Sequence, residues 1–282
     1  MVLPAVALYT LFVAYPLLQG AWVSLHRWDG LGAMKWIGLD NYKFVWRDAV
    51  FWLAMRNTFQ YAIAVTVAKN ILGLLLALVL NRKLLGIAFF RTAAFLPVTL
   101  SFVVIGVLWT WIFNPTFGLL NHMLDALGLD YLVQGWLSDS RVAMWSVATV
   151  DVWKWTGFHM VLFLAALQGI PLELYEAAEL DGADRWRRFI YITLPLLRPV
   201  IVFSTLLSLV GAFVSNYDVV YVMTKGGPMH ATEVALTWIV STAFRFSDVG
   251  KANAMTMVLF GCVAALGILQ LTVMTRRDER PR

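Results

Sequence analysis

The histidines, lysines and acidic residues are the side chains of this 282-residue sequence that could do acid–base or metal chemistry. The histidines lie in loops and one apolar run, without metal-ligand spacing or a paired nucleophile. No Gly-x-x-x-x-Gly-Lys-Ser/Thr stretch is present to bind ATP phosphates. The sequence therefore predicts no catalytic residue, no metal site and no ATPase activity of its own. The four histidines are His26, His122, His159 and His230.

Ionisable residues inside apolar runs are the next candidates, because charge within a membrane is costly and is usually paired or functional. Lys69 lies in the middle of such a run, so we expect it to face a neighbouring helix or a cavity. Both a structural pairing and a role in a transport pathway are open for it. Asp151 and Lys154 lie three residues apart, which predicts that they neutralise one another on one helix.

One face of that same run combines an aromatic ring, a hydroxyl group and a glycine at helical spacing. An aromatic ring can stack on the apolar face of a sugar while hydroxyl groups meet the sugar oxygens. This face predicts a substrate pathway, and an ordinary helix-packing seam is the alternative. Its residues are Trp153, Thr156, Gly157 and Met160.

Membrane-spanning helices must hold these residues, because the chain is 60% hydrophobic and only 14% charged, with a mean hydropathy of +0.73. A bilayer core requires about 20 apolar residues per helix. Six such runs predict an all-α integral membrane protein with six transmembrane helices in a single domain, residues 1–282. The first run is interpreted as a retained helix rather than a cleaved signal. The runs are 2–24, 57–80, 92–113, 143–169, 196–217 and 255–275.

The distribution of Lys and Arg between the connecting segments predicts the orientation. One set holds 11 Lys and Arg in 47 residues, and the other holds 9 in 98 residues. The denser set, and with it both termini, is predicted to be cytoplasmic. This pattern also explains the net charge of +5 without nucleic-acid binding. The denser set is 81–91, 170–198 and 276–282, and the sparser set is 25–56, 114–142 and 218–254.

Residues 170–198 are predicted to form two short helices in the cytoplasm. A first helix is expected over residues 172–180, after Pro171. Asp181 and Gly182 then predict a turn, because glycine adopts positive φ without steric cost.

A second helix is expected to run to about residue 193, where Pro195 and Pro199 would stop or kink the chain. Two acid-first i, i+4 pairs are expected to support this region, Asp181 with Arg185 and Asp184 with Arg188. An apolar face on the second helix predicts docking on a partner or on the base of the membrane domain. That face is formed by Trp186, Phe189 and Ile190.

The loop has the pattern Glu-Ala-Ala, three residues, Gly, nine residues, Ile, one residue, Leu-Pro. This pattern resembles the signature loop of ABC importer permeases. Further stretches, including FFRTAAFLP and YDVVYVMTKGGP, resemble the carbohydrate-uptake branch of that family, particularly its maltose-type members. The resemblance covers nearly the whole chain. The residues that meet the loop pattern are Glu176, Ala177, Ala178, Gly182, Ile192, Leu194 and Pro195.

The resemblance implies a type I permease fold in a prokaryotic inner membrane and a loop that couples the chain to a separate ATPase. It implies as partners a second permease subunit, two ATP-binding subunits that hold ATP and Mg²⁺, and an external substrate-binding protein. No cofactor is implied for this chain. The coupling residues expected from it are Glu176, Ala177, Ala178, Asp181, Gly182, Ala183, Ile192 and Pro195.

For the substrate, the resemblance implies a sugar, with glycerol phosphate or another polyol as the alternative. It adds three residues at the end of the fifth run to the substrate pathway. A secondary transporter driven by an ion gradient is the main rival function, although Lys69 and Asp151 are a thin basis for it. A channel subunit or membrane assembly factor is a further alternative. The three added residues are Val214, Ser215 and Asn216.

Overall fold

The computed structural model describes residues 2–82 and 85–278, with the side chains of 269–271 and 273–278 left out of the description. Within these ranges, five helices are long and apolar enough to cross a membrane, and a sixth span is formed if one bent helix pair is counted. The predicted membrane-spanning helical fold is therefore confirmed. The five helices are Leu3–Val23, Ala49–Leu80, Ala143–Gln168, Arg185–Met223 and Val249–Ile268.

Some of these spans contain a short π-helical turn, so their α-helical parts are numbered separately. Two short strands, β1 (His26–Arg27) and β2 (Lys35–Trp36), pair antiparallel in the first connecting segment. The α-helices are α1 (Leu3–Tyr9), α2 (Tyr15–Val23), α3 (Asp40–Arg47), α4 (Ala49–Leu80), α5 (Ile87–Thr99), α6 (Phe102–Ile112), α7 (Leu119–Ala126), α8 (Ala143–Gln168), α9 (Leu172–Leu180), α10 (Arg185–Arg188), α11 (Leu194–Met223), α12 (Ala235–Val240) and α13 (Val249–Asp278).

The third predicted span is broken, which corrects the expectation of one continuous helix over 92–113. Helices α5 and α6 meet at an angle of 102°. Pro97 lies in the last turn of α5, Leu100 is extended, and the Ser101 hydroxyl accepts a hydrogen bond from the Val104 amide. A proline followed by a serine cap therefore ends one helix and starts another inside an apolar run.

Pro195 and Pro199 were expected to stop or kink the chain, and the stop is wrong because the fifth span runs without interruption through both prolines. A π-helical turn, Phe189–Thr193, joins α10 to α11, and both prolines lie within α11. Proline is tolerated in membrane helices because local π-type adjustments satisfy the backbone groups that it frees. The loop and the membrane helix consequently form one continuous rod from Arg185 to Met223.

Several helices extend beyond their apolar runs. Helix α4 begins at Ala49 rather than at residue 57, because the Asp48 carboxylate accepts hydrogen bonds from the amides of Val50 and Phe51. The Trp238 indole also donates to Asp48, with a distance of 3.0 Å between Nε1 and Oδ2. Hydropathy alone predicts only the part of such a helix that lies in the bilayer.

The core of the bundle is built around α4, α8 and α11. Tyr61, Phe163 and Leu197 are among its largest fully buried side chains. Gly73 on α4 lies directly against α8, since a Cβ placed on it would be 2.6 Å from the Cβ of His159. Small residues at such crossings allow membrane helices to approach closely. This close packing positions the polar side chains described next.

Candidate functional site

A buried ion pair joins the two central helices. The Lys69 ammonium on α4 lies 2.5 Å from the Asp151 carboxylate on α8, and the two side chains are 4% and 1% exposed. A structural pairing, which was one of the two alternatives predicted for Lys69, is therefore confirmed. Because the pair is buried and compensated, it brings no net charge to the middle of the bundle.

Lys154 does not pair with Asp151, which corrects the predicted i, i+3 neutralisation on α8. Its ammonium donates instead to three backbone carbonyls at the end of α5, at 3.2 Å to Pro97, 3.1 Å to Val98 and 2.5 Å to Leu100. The break after α5 leaves the Val98 and Leu100 carbonyls without backbone donors among the described residues, whereas the Pro97 carbonyl also accepts from the Leu100 amide at 3.3 Å. An ammonium has three N–H donors, so one lysine is sufficient to satisfy all three.

A second polar cluster links α4, α8 and α11 by short hydrogen bonds. Nδ1 of His159 lies 2.7 Å from the Ser204 hydroxyl, which donates to the Asn70 side-chain oxygen at 2.7 Å. The Asn70 amide then donates to the Thr66 carbonyl at 2.8 Å. All three helices of the core therefore share one hydrogen-bonded network, which holds α11 in register with the other two.

A cavity of about 320 Å³ opens beside these two clusters. Its wall combines two aromatic rings with hydroxyl groups, and the Ser208 hydroxyl is buried with no hydrogen-bond partner among the described residues. The Lys69 charge in this wall is balanced by Asp151 behind it. The cavity therefore offers stacking surfaces and hydroxyl-bearing side chains without net charge. Its lining residues are Lys69, Trp155, Phe158, His159, Leu207, Ser208, Gly211 and Ser215.

The predicted face on α8 lies on a different side of that helix from the cavity. Trp153, Thr156 and Gly157 line a separate groove of about 370 Å³ beside α5. A Cβ on Gly157 would overlap the Ala94 carbonyl, so this side of α8 packs directly on the α5 backbone. Met160 is fully buried and does not line the groove.

The Trp153 ring, which is 38% exposed, contacts the Trp109 ring with 5.5 Å between centroids. Of the three residues predicted on α11, Ser215 alone lines the cavity. Val214 is 64% exposed, and Asn216 is fully buried with neither side-chain atom hydrogen-bonded among the described residues.

The interpretation of the sequence missed most of the residues that line the cavity. On α8 the missed residues are Trp155, Phe158 and His159, which follow i, i+3, i+4 spacing just as the predicted face does. On α11 a sequence signal existed, because small residues recur at i, i+4, i+7 and i+11 along an apolar helix. These small residues are Ser204, Ser208, Gly211 and Ser215.

The charged loop folds as expected up to its turn. Helix α9 has the predicted bounds, and Gly182 has a φ of +76°. The Ala183 amide donates to the Ala178 carbonyl at 2.8 Å and the Gly182 amide to the Glu179 carbonyl at 3.1 Å, the hydrogen-bond pattern of a Schellman cap. The first helix of the loop therefore ends because glycine accepts a backbone conformation that other residues resist.

The expected ion pairs in the loop are replaced by others. Arg188 pairs with Glu179 at 2.6 Å rather than with Asp184, and the Asp184 carboxylate caps α10 by accepting from the Arg187 amide at 2.7 Å. The expected ion pair between Asp181 and Arg185 does not form among the described residues 85–278. The loop is folded back on itself across the turn.

The predicted coupling residues lie mainly at the surface of the loop. Ala178, Ala183 and Ile192 are half-buried. The exposed ones are available to a partner, and they are Glu176, Ala177, Asp181, Gly182 and Pro195.

Comparison with known proteins agrees with this architecture. Residues 69–280 match the family described as binding-protein-dependent transport system inner membrane component. A probable ABC transporter permease protein of Bacillus subtilis is 39% identical over 266 residues, which cover 93% of this chain and 91% of that protein. A lactose transport system permease protein of Rhizobium radiobacter is 36% identical, with coverage of 95% of this chain and 91% of that protein.

A crystal structure of a bacterial ABC transporter involved in alginate import contains a chain of the same fold. It superposes with a TM-score of 0.86 at 23% identity, and the match covers 99% of this chain and 95% of that one. These findings support an ATP-driven importer and give no support to the ion-gradient alternative. The chain belongs to the inner membrane components of binding-protein-dependent transport systems, and it is a permease subunit of an ABC importer.

Proposed function

We propose that this permease subunit imports a sugar and that the cavity between α4, α8 and α11 is its part of the substrate pathway. The observation that carries the proposal is the composition of the cavity wall. Trp155 and Phe158 offer aromatic surfaces for the apolar face of a sugar ring, and Ser208 and Ser215 contribute hydroxyl groups to the same wall. The name of the lactose relative agrees with this substrate class.

The charge balance in the wall favours an uncharged sugar over glycerol phosphate or another anionic polyol. Lys69 contributes the permanent positive charge of the wall among the described residues, and Asp151 compensates it at 2.5 Å. A phosphate group would need donors that are not already engaged. The residues of the neighbouring groove, Trp153 with Thr156 and Gly157, stay a second candidate contact surface.

The proposal places the chain in a complex with a second permease subunit that supplies the other half of the pathway. Two ATP-binding subunits hold ATP and Mg²⁺ and contact the exposed residues of the loop over 170–198. Residues 1–282 form one membrane domain with both termini in the cytoplasm. The segments near 25–56 and 218–254 then lie on the external side, where they receive a substrate-binding protein. ATP binding and hydrolysis then bias the complex between outward-facing and inward-facing states.

Reconstitution tests this proposal. The full complex in proteoliposomes is expected to take up labelled neutral saccharides when ATP is inside and the binding protein is outside. Uptake of glycerol 3-phosphate alone would overturn the assignment of a neutral sugar, and uptake that follows an ion gradient without ATP would overturn the ATP-driven mechanism.

Single-residue variants then locate the pathway. Trp155→Ala removes the stacking surface, so we expect the half-saturating sugar concentration for uptake to rise by about fivefold, from an aromatic contact of about 1 kcal/mol. Trp145→Ala is the matched control on the same helix, since that ring is 53% exposed away from the cavity. If Trp153→Ala impairs uptake and Trp155→Ala does not, the groove beside α5 is the pathway instead.

A further inference from the structure

Two polar contacts join the loop helix α9 to the helix that enters the membrane. The Tyr175 hydroxyl lies 2.9 Å from Oγ1 of Thr193, and the Arg188 guanidinium lies 2.6 Å from the Glu179 carboxylate. Thr193 is only 5% exposed, and the Arg188 side chain is 19% exposed. The Tyr175–Thr193 contact is therefore more shielded from water than an ordinary surface pair, whereas the ion pair is partly open to water because the Glu179 side chain is 70% exposed.

Helix α9 divides into two faces by helical periodicity. Tyr175, Ala178 and Glu179 share the face that turns toward α10 and α11, and each of the first two is half-buried. The opposite face is fully exposed and carries much of the signature pattern. Its residues are Glu173, Glu176, Ala177 and Leu180.

The inner face is tied to a rod that reaches the cavity. Arg188 ends α10, Thr193 ends the π turn, and α11 continues from there without interruption to Met223. The same helix carries Ser208 and Ser215 into the cavity wall. Along the chain, α9 is connected to this rod by the turn at Gly182, where nothing lies within 4 Å of an added Cβ.

We propose that the Tyr175–Thr193 and Glu179–Arg188 contacts lock α9 onto α11, so that a displacement of the loop becomes a displacement of the cavity wall. These four are positioning residues, because they act through α9 and α11 rather than on the substrate. The inference rests on the proposed function, in which an ATPase moves the loop. Without the two contacts, the open turn at Gly182 lets α9 tilt while α11 stays in place.

The experiment measures the number of ATP molecules hydrolysed per sugar imported by the reconstituted complex. Tyr175→Phe removes one hydroxyl and Arg188→Gln removes one charge. Each is expected to raise the ratio by at least about threefold, the scale set by the loss of one hydrogen bond or charged hydrogen bond. Co-purification of all subunits verifies that each variant assembles.

Matched controls lie on the same segment. Tyr191→Phe removes a hydroxyl from a ring that is 76% exposed, and Arg187→Gln removes a charge from an exposed side chain. Both are expected to leave the ratio at the wild-type value. A ratio that changes equally in controls and test variants would overturn the proposal, because the effect would then come from the loop surface in general.

A charge reversal separates a lock within the chain from direct contact with the ATPase. Glu179→Arg and Arg188→Glu are each expected to uncouple, and the double variant is expected to recover a ratio near wild type. Failure of the double variant to recover overturns the lock. If the wild-type complex itself imports sugar without ATP hydrolysis, the proposed function fails instead, so the two failures are distinguishable.

Discussion

Asp151→Asn tests whether the central ion pair is a compensated unit. At 2.5 Å and an effective dielectric of about 20, the attraction between Lys69 and Asp151 is about 7 kcal/mol. Moving two charges out of water costs several kcal/mol per ion, so the pair adds little net stability. Replacing one partner strands the other charge, and we expect Asp151→Asn to lower the free energy of unfolding by about 3 to 5 kcal/mol.

The assay is the thermal unfolding midpoint of the purified complex, read for the single variants Asp151→Asn and Lys69→Met and for the double variant that combines them. The double variant is expected to lie closer to wild type than either single variant, because no charge remains unpaired. If its loss equals the sum of the single losses, the two residues are not coupled and the reasoning is refuted.

An exposed ion pair gives the matched control for this series. Asp139 pairs with Arg141 at 2.7 Å, and that hydrogen-bonded guanidinium lowers the pKa of the Asp139 carboxyl from 3.8 to about 2. A depressed pKa adds stability above the unfolded value of 3.8, and this stability is lost as the pH falls toward 2. At pH 7 the pair is charged but screened by water, so Asp139→Asn should lower the midpoint much less than Asp151→Asn does.

Two further predictions concern the helix break and the loop turn. Lys154→Met leaves the carbonyls at the end of α5 without this donor and should lower the free energy of unfolding by about 2 to 3 kcal/mol in the same thermal assay. Lys154→Arg retains N–H donors and should lower it less. An equal loss of stability in both variants would contradict the capping role. Gly182→Ala strains the positive-φ turn by about 1 kcal/mol and should weaken stimulation of ATP hydrolysis by the loaded binding protein. Gly128→Ala, at a φ of +72° with equally open surroundings in another segment, is its control, and an equal effect of both would show general destabilisation.

Local signals explain why the charged loop was predictable from the sequence. Pro171 before a helix and the Asp181–Gly182 turn after it act over a few residues, so α9 was predicted with its observed bounds. The predicted stop at Pro195 and Pro199 was wrong, because the helix continues from a π turn, Phe189–Thr193, through both prolines. The rule that proline ends a helix considers one residue and ignores how the backbone hydrogen bonds of neighbouring turns can rearrange.

Hydropathy likewise determined the number of apolar runs and the membrane class, because each run must bury about 20 residues in lipid. It did not reveal the break between α5 and α6, since the residues on both sides are apolar. Pro97 and Ser101 marked the position, but an acceptable break needs a donor for the freed carbonyls. That donor is Lys154, which lies more than fifty residues away in the chain.

The sequence by itself determined the family, the membrane-spanning class and the loop that carries the signature pattern, because these depend on composition and short spacings. Tertiary structure alone decided the partner of Asp151 and which side of α8 lines the cavity. Helical periodicity places Trp153 and Trp155 on different faces but does not say which face meets α5 and which meets open space. Only the packing of α4, α5 and α11 around α8 settles that, because it determines which groups are desolvated, paired or left free.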